Sequence, residues 1–351
     1  MKKRETLKSI AATLGVTHTT VSNAFNRPEK MSKEVRKKIL DYAKSIKYYG
    51  PNQAAKSLRT GKSGSIGVIF NDQLSYAFTD PYDISFLHGV STVCEKEGLN
   101  IVLIPLKTKD HGISDPLSAM VDGYILNAPY KNNIVTQAAL NKGVPIVVVD
   151  FDAPEHININ TNDLEMMGEV TSHLVELGHK NIGIITFGMH ENKHNYYTLE
   201  GEIDTDNFVV KNRLLGCQNS FIEHNVDLKN IHIQETQNNE ESGAEAAEKL
   251  KQRFPEITAF ICFSDRLAYG LMQFCHQQGL AIPADISITG FDDINQPQFA
   301  QHFPELTTVK QDPLLKGQLA TKALIDDSIE PGSYIYIQSE FIIKQSTSKA
   351  P

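Results

Sequence analysis

The sequence predicts a small α-helical head followed by a larger α/β body with two parallel sheets. Residues 1–62 contain 15 Lys and Arg against 4 Asp and Glu, a net charge of +11, whereas residues 63–351 carry −19. Residues 6–47 have helical periodicity, whereas from Ser65 onward short β-branched runs alternate with longer amphipathic stretches. This alternation is typical of parallel sheets covered by helices. Nine strand candidates are more than one such sheet normally holds, so we expect two sheets.

The opposite charges of head and body limit the classes of function. A cationic module on an anionic body is typical of a protein that binds a polyanion through its head, while the body is repelled from phosphate. No apolar run approaches the ~18 residues that span a bilayer, and the N-terminus has no signal-peptide pattern. The four cysteines are scattered without a Cys-x-x-Cys pair, which indicates reduced structural thiols. We therefore expect a cytoplasmic location.

The head has the pattern of three short helices. Leu7–Leu14 carries apolar residues on one helical face, and Gly15 permits a tight turn after it. Thr17 is a good N-cap for a second helix over residues 18–25, and Ser32 for a third. Two short helices joined by a Gly turn, with a third beneath, form a helix-turn-helix, whose second helix lies in the major groove of DNA.

The outward side chains of the second helix can all form hydrogen bonds: His18, Thr19, Thr20, Ser22 and Asn23. A polar face of this kind is also typical of an ordinary solvated helical bundle. The charge of the head favours base contacts instead.

Residues 51–61 form a linker with a short helix-capable stretch. Ala54, Ala55 and Leu58 make a small apolar face, but so short a helix is unstable alone in water. We expect it to fold only against DNA and a partner copy. A flexible tether between domains is the alternative.

Several strand candidates of the body end in polar residues or lead directly into them, at Asn127, Asp150, Ser264, Asp292 and Gln311. The nine strands are predicted at 65–70, 100–105, 122–127, 145–150, 181–186, 231–235, 259–264, 286–291 and 306–311. Ligands of open α/β sheets bind beyond the carboxyl ends of strands. Carboxylates there would accept hydrogen bonds from hydroxyls, an Arg would donate, and Phe291 could lie against an apolar sugar face. The pattern predicts a small polyhydroxylated ligand, although each carboxylate could also be a helix cap or loop residue.

Several motifs resemble those of the LacI/GalR family of bacterial transcription regulators, and the resemblance continues to residues 340–347. The motifs are Leu7-Lys8-Ser9-Ile10-Ala11, Gly15-Val16-Thr17, Thr20-Val21-Ser22-Asn23-Ala24-Phe25-Asn26 and Pro51-Asn52-Gln53-Ala54-Ala55-Lys56-Ser57-Leu58-Arg59-Thr60-Gly61. The resemblance implies a body with the two-lobed, periplasmic-binding-protein-like fold. It implies a helix-turn-helix domain over 1–50, a hinge over 51–63 and an effector-binding and dimerisation domain over 64–351. The N-lobe would comprise about 64–161 and 292–323, and the C-lobe about 162–291 and 324–345.

The resemblance also assigns functional residues. The DNA contacts would be His18, Thr19, Thr20, Ser22, Asn23, Asn26, Ala55, Lys56, Leu58 and Arg59, with Leu58 as the minor-groove wedge. The effector contacts would be Asn127, Asp150, Arg213, Ser264, Arg266, Phe291, Asp292 and Gln311. The segments 74–81 and 188–208 differ from the amino-acid sequence that is common in the family, so we expect them to determine which ligand binds.

One departure from the family concerns base recognition. The family often has Arg where this chain has Asn23. Arg suits guanine O6 and N7, whereas Asn suits adenine N6 and N7. We therefore expect an operator that differs from the common family site at the base pair facing Asn23.

Together these features predict a homodimeric, sequence-specific DNA-binding regulator, most simply a repressor. A small metabolite, a sugar or sugar derivative, would control its affinity for double-stranded operator DNA. We expect no enzyme activity, catalytic residue, cofactor, metal or membrane contact. The alternatives are a sugar-binding transport protein, which the absent signal peptide and basic head disfavour, and a sugar-modifying or dinucleotide-dependent enzyme. No G-x-G-x-x-G follows a predicted strand, and no nucleophile–base pair is evident.

Two short motifs resemble unrelated sites. Gly61-Lys62-Ser63 ends like a P-loop but precedes a strand and has Ser57 where the motif needs Gly. Residues 190–194 spell H-E-x-x-H, but without helical periodicity, so we expect a polar loop rather than a zinc site.

Overall fold

The computed structural model describes residues 5–50, 61–70, 73–105, 117–190, 195–294, 296, 299 and 302–351. The chain folds into two compact units, Met1–Ser65 and Ile66–Pro351. The predicted hinge residues Ala55, Lys56, Leu58 and Arg59 lie outside the described residues, as do residues 191–194 of the H-E-x-x-H motif. None of the described helices combines the length and hydropathy that a membrane span requires.

The first unit contains the predicted helix-turn-helix. Its α-helices are α1 Leu7–Leu14, α2 His18–Asn26 and α3 Lys33–Ser45. Thr6, Thr17 and Ser32 begin them, each with a side-chain oxygen that accepts a backbone N–H. Gly15, at a φ of 66°, ends α1 and makes the turn into α2. The helices share one apolar core formed by Ile10, Ala11, Val21, Ala24 and Ile39.

The second unit contains the two predicted parallel sheets, each in its own lobe. The N-lobe strands are β1 Ser65–Phe70, β2 Asn100–Pro105, β3 Tyr124–Asn127, β4 Ile146–Val149, β5 Ile157–Thr161 and β12 Tyr334–Ile337. Their order in the sheet is β12-β5-β4-β3-β1-β2. The C-lobe strands are β6 Ile182–Phe187, β7 Tyr196–Thr198, β8 Ile231–Thr236, β9 Ala259–Cys262 and β10 Ser287–Thr289, in the order β10-β9-β6-β8-β7. Strand β7 is an antiparallel edge beside β8.

Helices cover both sheets. The N-lobe helices are α4 Leu74–Ala77, α5 Pro81–Glu97, α6 Ile134–Leu140 and α11 Pro313–Ile325; the C-lobe helices are α7 Asp163–Glu176, α8 Phe208–Glu223, α9 Glu240–Arg253 and α10 Asp265–Gln278. Helix α5 packs on α11, α7 on α8 and α9 on α10. Short 3₁₀ turns lie at Pro28–Lys30 and Leu228–Asn230. This arrangement places the carboxyl ends of the parallel strands at the facing edges of the two lobes.

The last part of the chain differs from the prediction. Residues 324–345 were expected in the C-lobe, but β12 pairs in parallel with β5 at the edge of the N-lobe sheet. The expectation was wrong for this strand, because strand partners are chosen by tertiary pairing and leave no local signal. The strands β11 Thr308–Lys310 and β13 Glu340–Ile342 form a separate antiparallel pair.

Candidate functional site

The face of α2 presents the side chains predicted to contact bases. His18 and Thr19 are exposed, and Asn23 is half-buried. All three lie within the first two turns of the helix, the part that a helix-turn-helix offers to the major groove.

The other predicted contacts on α2 take part in local hydrogen bonds. Thr20 Oγ1 lies 2.8 Å from Thr17 Oγ1 at the helix cap. Asn26 Nδ2 donates to the backbone oxygen of Ser22 at 3.1 Å. These bonds stabilise the two ends of the helix.

A cleft of about 570 Å³ opens in the body where the strands of both sheets end. Six of the eight predicted effector contacts line it: Asn127, Asp150, Arg213, Ser264, Asp292 and Gln311. The segments predicted to set ligand identity also border it, with Ser75, Tyr76, Thr79 and Asp80 from one segment and Gly188, His190 and Asn207 from the other. Residues far apart in the sequence therefore meet at one surface.

The N-lobe wall of the cleft carries two unused acceptors. Asn127 Nδ2 donates to Asp83 Oδ1 at 3.1 Å, and Asp150 Oδ2 accepts from Lys316 Nζ at 2.7 Å. Among the described residues, Asn127 Oδ1 and Asp150 Oδ1 have no hydrogen-bond partner although both are buried. A buried acceptor without a partner costs free energy, roughly 1–3 kcal/mol each. These oxygens are therefore prepared to accept hydrogen bonds from a ligand.

The C-lobe wall centres on Arg213, which is 4 % exposed. Its Nε donates to Asp163 Oδ1 at 2.7 Å, and its Nη1 donates to the backbone oxygen of Phe263. The guanidinium carbon lies 3.5 Å from the ring centroid of Phe291. The ring of Phe291 is fully buried and is not among the residues that line the cleft. It lies behind the guanidinium of Arg213 and stabilises it by a cation–π contact. Phe291 was predicted to contact the ligand directly.

Asp292 lies at the crossing between the lobes. Gln311 Nε2 donates to Asp292 Oδ1 at 2.8 Å. The backbone of Asp292 has a φ of 121°, which an L-residue rarely adopts. Desolvation deep in the cleft raises the pKa of Asp292 well above its ordinary value, and the positive charge of Arg213 opposes this rise.

Arg266 joins the two lobes beside the cleft. Its Nε and Nη2 donate to Glu240 of the C-lobe at 3.0 and 2.7 Å, and its Nη1 donates to Asp80 of the N-lobe at 3.3 Å. Tyr76 Oη accepts from Asn238 Nδ2 at 2.8 Å at the same place. We call these five residues the interlobe clasp. Arg266 was predicted to contact the effector, but in the structure it lies outside the described lining and its guanidinium is engaged by carboxylates.

Sequence reasoning missed two residues of the N-lobe wall, Tyr82 in the lining and Lys316 behind it. Lys316 Nζ lies 2.6 Å from Tyr82 Oη, and Tyr82 Oη donates to Asp150 Oδ2 at 3.2 Å. Lys316 follows Gln311 by five positions in a mostly apolar helix, and a cation at that place was the one available signal. In the part of the chain that the structure describes, no three His, Cys, Asp or Glu side chains cluster to hold a metal ion.

Comparisons with known proteins agree with this architecture. Residues 171–347 match the family described as periplasmic binding protein-like domain. The HTH-type transcriptional regulator IpsA of Corynebacterium glutamicum is 35% identical over 91% of this chain and 90% of its own. A crystal structure of a LacI family transcriptional regulator from Corynebacterium glutamicum is 30% identical, with a TM-score of 0.70 over 100% of both chains. A lac repressor dimer bound to operator and the anti-inducer ONPF is 22% identical, with a TM-score of 0.78 over 99% of this chain and 100% of that one, and so shows the fold alone.

The protein is thus a transcriptional regulator in which a helix-turn-helix head is joined to a periplasmic-binding-protein-like body. The chain belongs to the LacI/GalR family.

Proposed function

We propose that this regulator is a homodimeric repressor whose affinity for operator DNA is controlled by an uncharged, polyhydroxylated metabolite bound in the cleft. The observation that carries the ligand assignment is the pair of buried acceptors on the N-lobe wall, Asn127 Oδ1 and Asp150 Oδ1, which have no hydrogen-bond partner in the part of the chain that the structure describes. Asn127 is the last residue of β3, and Asp150 follows the neighbouring strand β4. Two hydroxyl groups of one small ligand can therefore donate to these oxygens together.

The charge of the cleft favours an uncharged ligand. Within the described lining, four carboxylates, Asp80, Asp83, Asp150 and Asp292, stand against one guanidinium, that of Arg213. Arg213 is itself paired with Asp163. A phosphate or carboxylate group would bring further negative charge to a lining in which carboxylates already outnumber the guanidinium, whereas a hydroxyl group can donate a hydrogen bond to a carboxylate.

Solved structures of similar proteins support both a neutral ligand and a dimer on DNA. Solved structures similar to this chain include a LacI family transcriptional regulator with bound ribose and the transcriptional regulator CelR in complex with cellobiose. Both ligands are neutral sugars. The lac repressor structure holds a dimer on its operator. A dimer with two helix-turn-helix heads fits a palindromic site. A repressor that acts on chromosomal DNA works in the cytoplasm at the nucleoid and needs no enzyme activity.

A ligand panel tests the cleft. Full-length protein is screened by thermal shift against hexoses, pentoses, disaccharides, alditols and cyclitols, each with a phosphorylated or acid analogue where one exists. We expect a neutral compound to raise the Tm and its charged analogue to have no effect. Asp292→Ala should abolish the shift and leave DNA binding unchanged. A preference for the charged analogues would contradict the ligand assignment.

Selection of binding sites from random duplexes tests the head. We expect selected sites to be palindromic, and Asn23→Arg to change the preference from adenine to guanine at one position of each half-site. Affinity should fall steeply with salt, because Lys and Arg of the head displace counterions. Identical preferences in both proteins, or binding that is insensitive to salt, would contradict this assignment.

A further inference from the structure

Lys316 is a fully buried cation behind the ligand cleft. It lies in α11, its side chain is 0 % exposed, and its neighbour Gly317 packs so closely on α5 that a Cβ there would lie 2.2 Å from Phe86 O. Lysine is almost never fully buried unless it is paired. The close packing of α11 on α5 therefore places the positive charge of Lys316 in the core of the N-lobe.

The ammonium group of Lys316 is fully satisfied by cleft residues. Its Nζ lies 2.7 Å from Asp150 Oδ2, 2.6 Å from Tyr82 Oη and 3.2 Å from Gln311 Oε1. An ammonium has three donors, and here each has one acceptor. All three acceptor residues line the cleft, whereas Lys316 is outside the described lining. Lys316 thus acts on the cleft only through these residues.

The three hydrogen bonds determine which atoms face the ligand. Because Tyr82 Oη accepts from Lys316, its own proton goes to Asp150 Oδ2. Because Gln311 Oε1 accepts from Lys316, its amide nitrogen faces Asp292 Oδ1. Asp150 Oδ2 is fully used in this way, and Asp150 Oδ1 is the atom left without a partner among the described residues. The hydrogen-bonding capacity that remains on the Asp150 carboxylate is therefore that of an acceptor.

We propose that Lys316 is a positioning residue that sets the ligand specificity of the cleft. It neutralises Asp150 without occupying Asp150 Oδ1, so the N-lobe wall accepts hydrogen bonds from hydroxyl groups but does not attract cations. The proposal rests on the proposed function, since it names what makes the same site select an uncharged polyol. A lysine that merely fastened α11 to the sheet would affect stability and leave selectivity unchanged.

The proposal predicts a change of selectivity in Lys316→Met. Loss of the ammonium leaves the Asp150 carboxylate unpaired, so the neutral ligand should bind at least tenfold more weakly. An ammonium on the ligand can then replace that of Lys316. The ratio of affinities for an amino sugar and its hydroxyl parent, such as D-glucosamine and D-glucose, should therefore rise at least tenfold. Lys322→Met, at an exposed position of the same helix, is the matched control and should behave as wild type.

A double variant separates positioning from folding. Lys316→Met/Asp150→Asn removes both charges, so it should fold even where the single variant does not. We expect it to bind the neutral ligand no more weakly than Asp150→Asn alone, because Lys316 acts through Asp150. The panel of neutral sugars and their amino analogues is measured by calorimetry on the full chain, with operator binding as the test of folding.

Each outcome decides between the two proposals. If wild type binds no neutral sugar of the panel, the proposed function and the role of Lys316 both fail. If wild type binds and Lys316→Met matches Lys322→Met in affinity and selectivity, only the role of Lys316 fails. Losses from Lys316→Met and Asp150→Asn that multiply in the double variant would likewise overturn it.

Discussion

Asp265 shows how a single buried carboxylate can make stability depend on pH. It is 1 % exposed at the start of α10, where its oxygens accept from Thr308 Oγ1 at 2.6 Å and from the Ile294 N–H at 2.9 Å. Burial raises the pKa of Asp265 from 3.8 to about 6. The folded state therefore holds this proton more tightly than the unfolded state.

We predict that this carboxylate destabilises the fold as the pH rises. Because the folded pKa lies above the unfolded one, the favourable contribution is complete below about pH 4 and is lost by about pH 6, at most about 3 kcal/mol. In Asp265→Asn this fall should disappear from urea unfolding curves measured between pH 4 and 7. The exposed Asp327→Asn serves as control and should keep the wild-type slope. An unchanged slope in Asp265→Asn would assign the pH dependence to other groups.

At the scale of elements, the pair α7 and α8 depends on a close approach of two helices. A Cβ built on Gly216 of α8 would lie 2.2 Å from the backbone oxygen of Leu164, whereas a Cβ on Gly168 of α7 would meet only Gly216 O at 3.8 Å. Two glycines of one interface therefore have different roles. Gly216 is required by the packing, and Gly168 is not.

This difference predicts opposite effects of the same substitution. Gly216→Ala should destabilise the body by about 1–3 kcal/mol, because the helices must separate. Gly168→Ala should raise stability by up to about 1 kcal/mol, because alanine is the better helix former. Chemical unfolding of both variants measures the difference. Equal effects would show that the two helices can adjust freely.

At the scale of the whole molecule, the interlobe clasp links the lobes beside the cleft. Arg266 forms an ion pair with Asp80 of the N-lobe. It forms a second ion pair, at 2.7 Å, with Glu240 of the C-lobe, to which Arg266 itself belongs. Since a ligand in the cleft touches both lobes, any contact that favours closure also favours binding.

We predict that Arg266→Gln opens the ligand-free body. Its radius of gyration in X-ray solution scattering should increase, and affinity for the neutral ligand should fall about tenfold, which corresponds to about 1.4 kcal/mol. Arg253→Gln is the matched control, because Arg253 stacks on Tyr196 and Phe254 of its own lobe. An unchanged radius with unchanged affinity would exclude a role of the clasp in closure.

The sequence by itself determined the three helices of the head, nine strands of the body and several polar strand ends. Strands β1 and β2 and helix α1 have the predicted bounds, whereas β5, β7, β12 and β13 were not among the nine predicted strands. Periodicity, caps and β-branched runs are local, so they can be read without the fold. For the same reason Asn127, Asp150 and Asp292 could be placed at the cleft, since parallel strands bring their carboxyl ends to one edge.

Only the tertiary structure decided which of these residues pair with one another. The partner of β12, the ring of Phe291 beneath Arg213, the interlobe pair of Arg266 with Asp80 and the burial of Lys316 all depend on residues distant in sequence. Such contacts join side chains more than 70 positions apart, and neither periodicity nor residue type indicates the partner. Local physics selects the elements, whereas the packing of the lobes selects the charges that face the ligand.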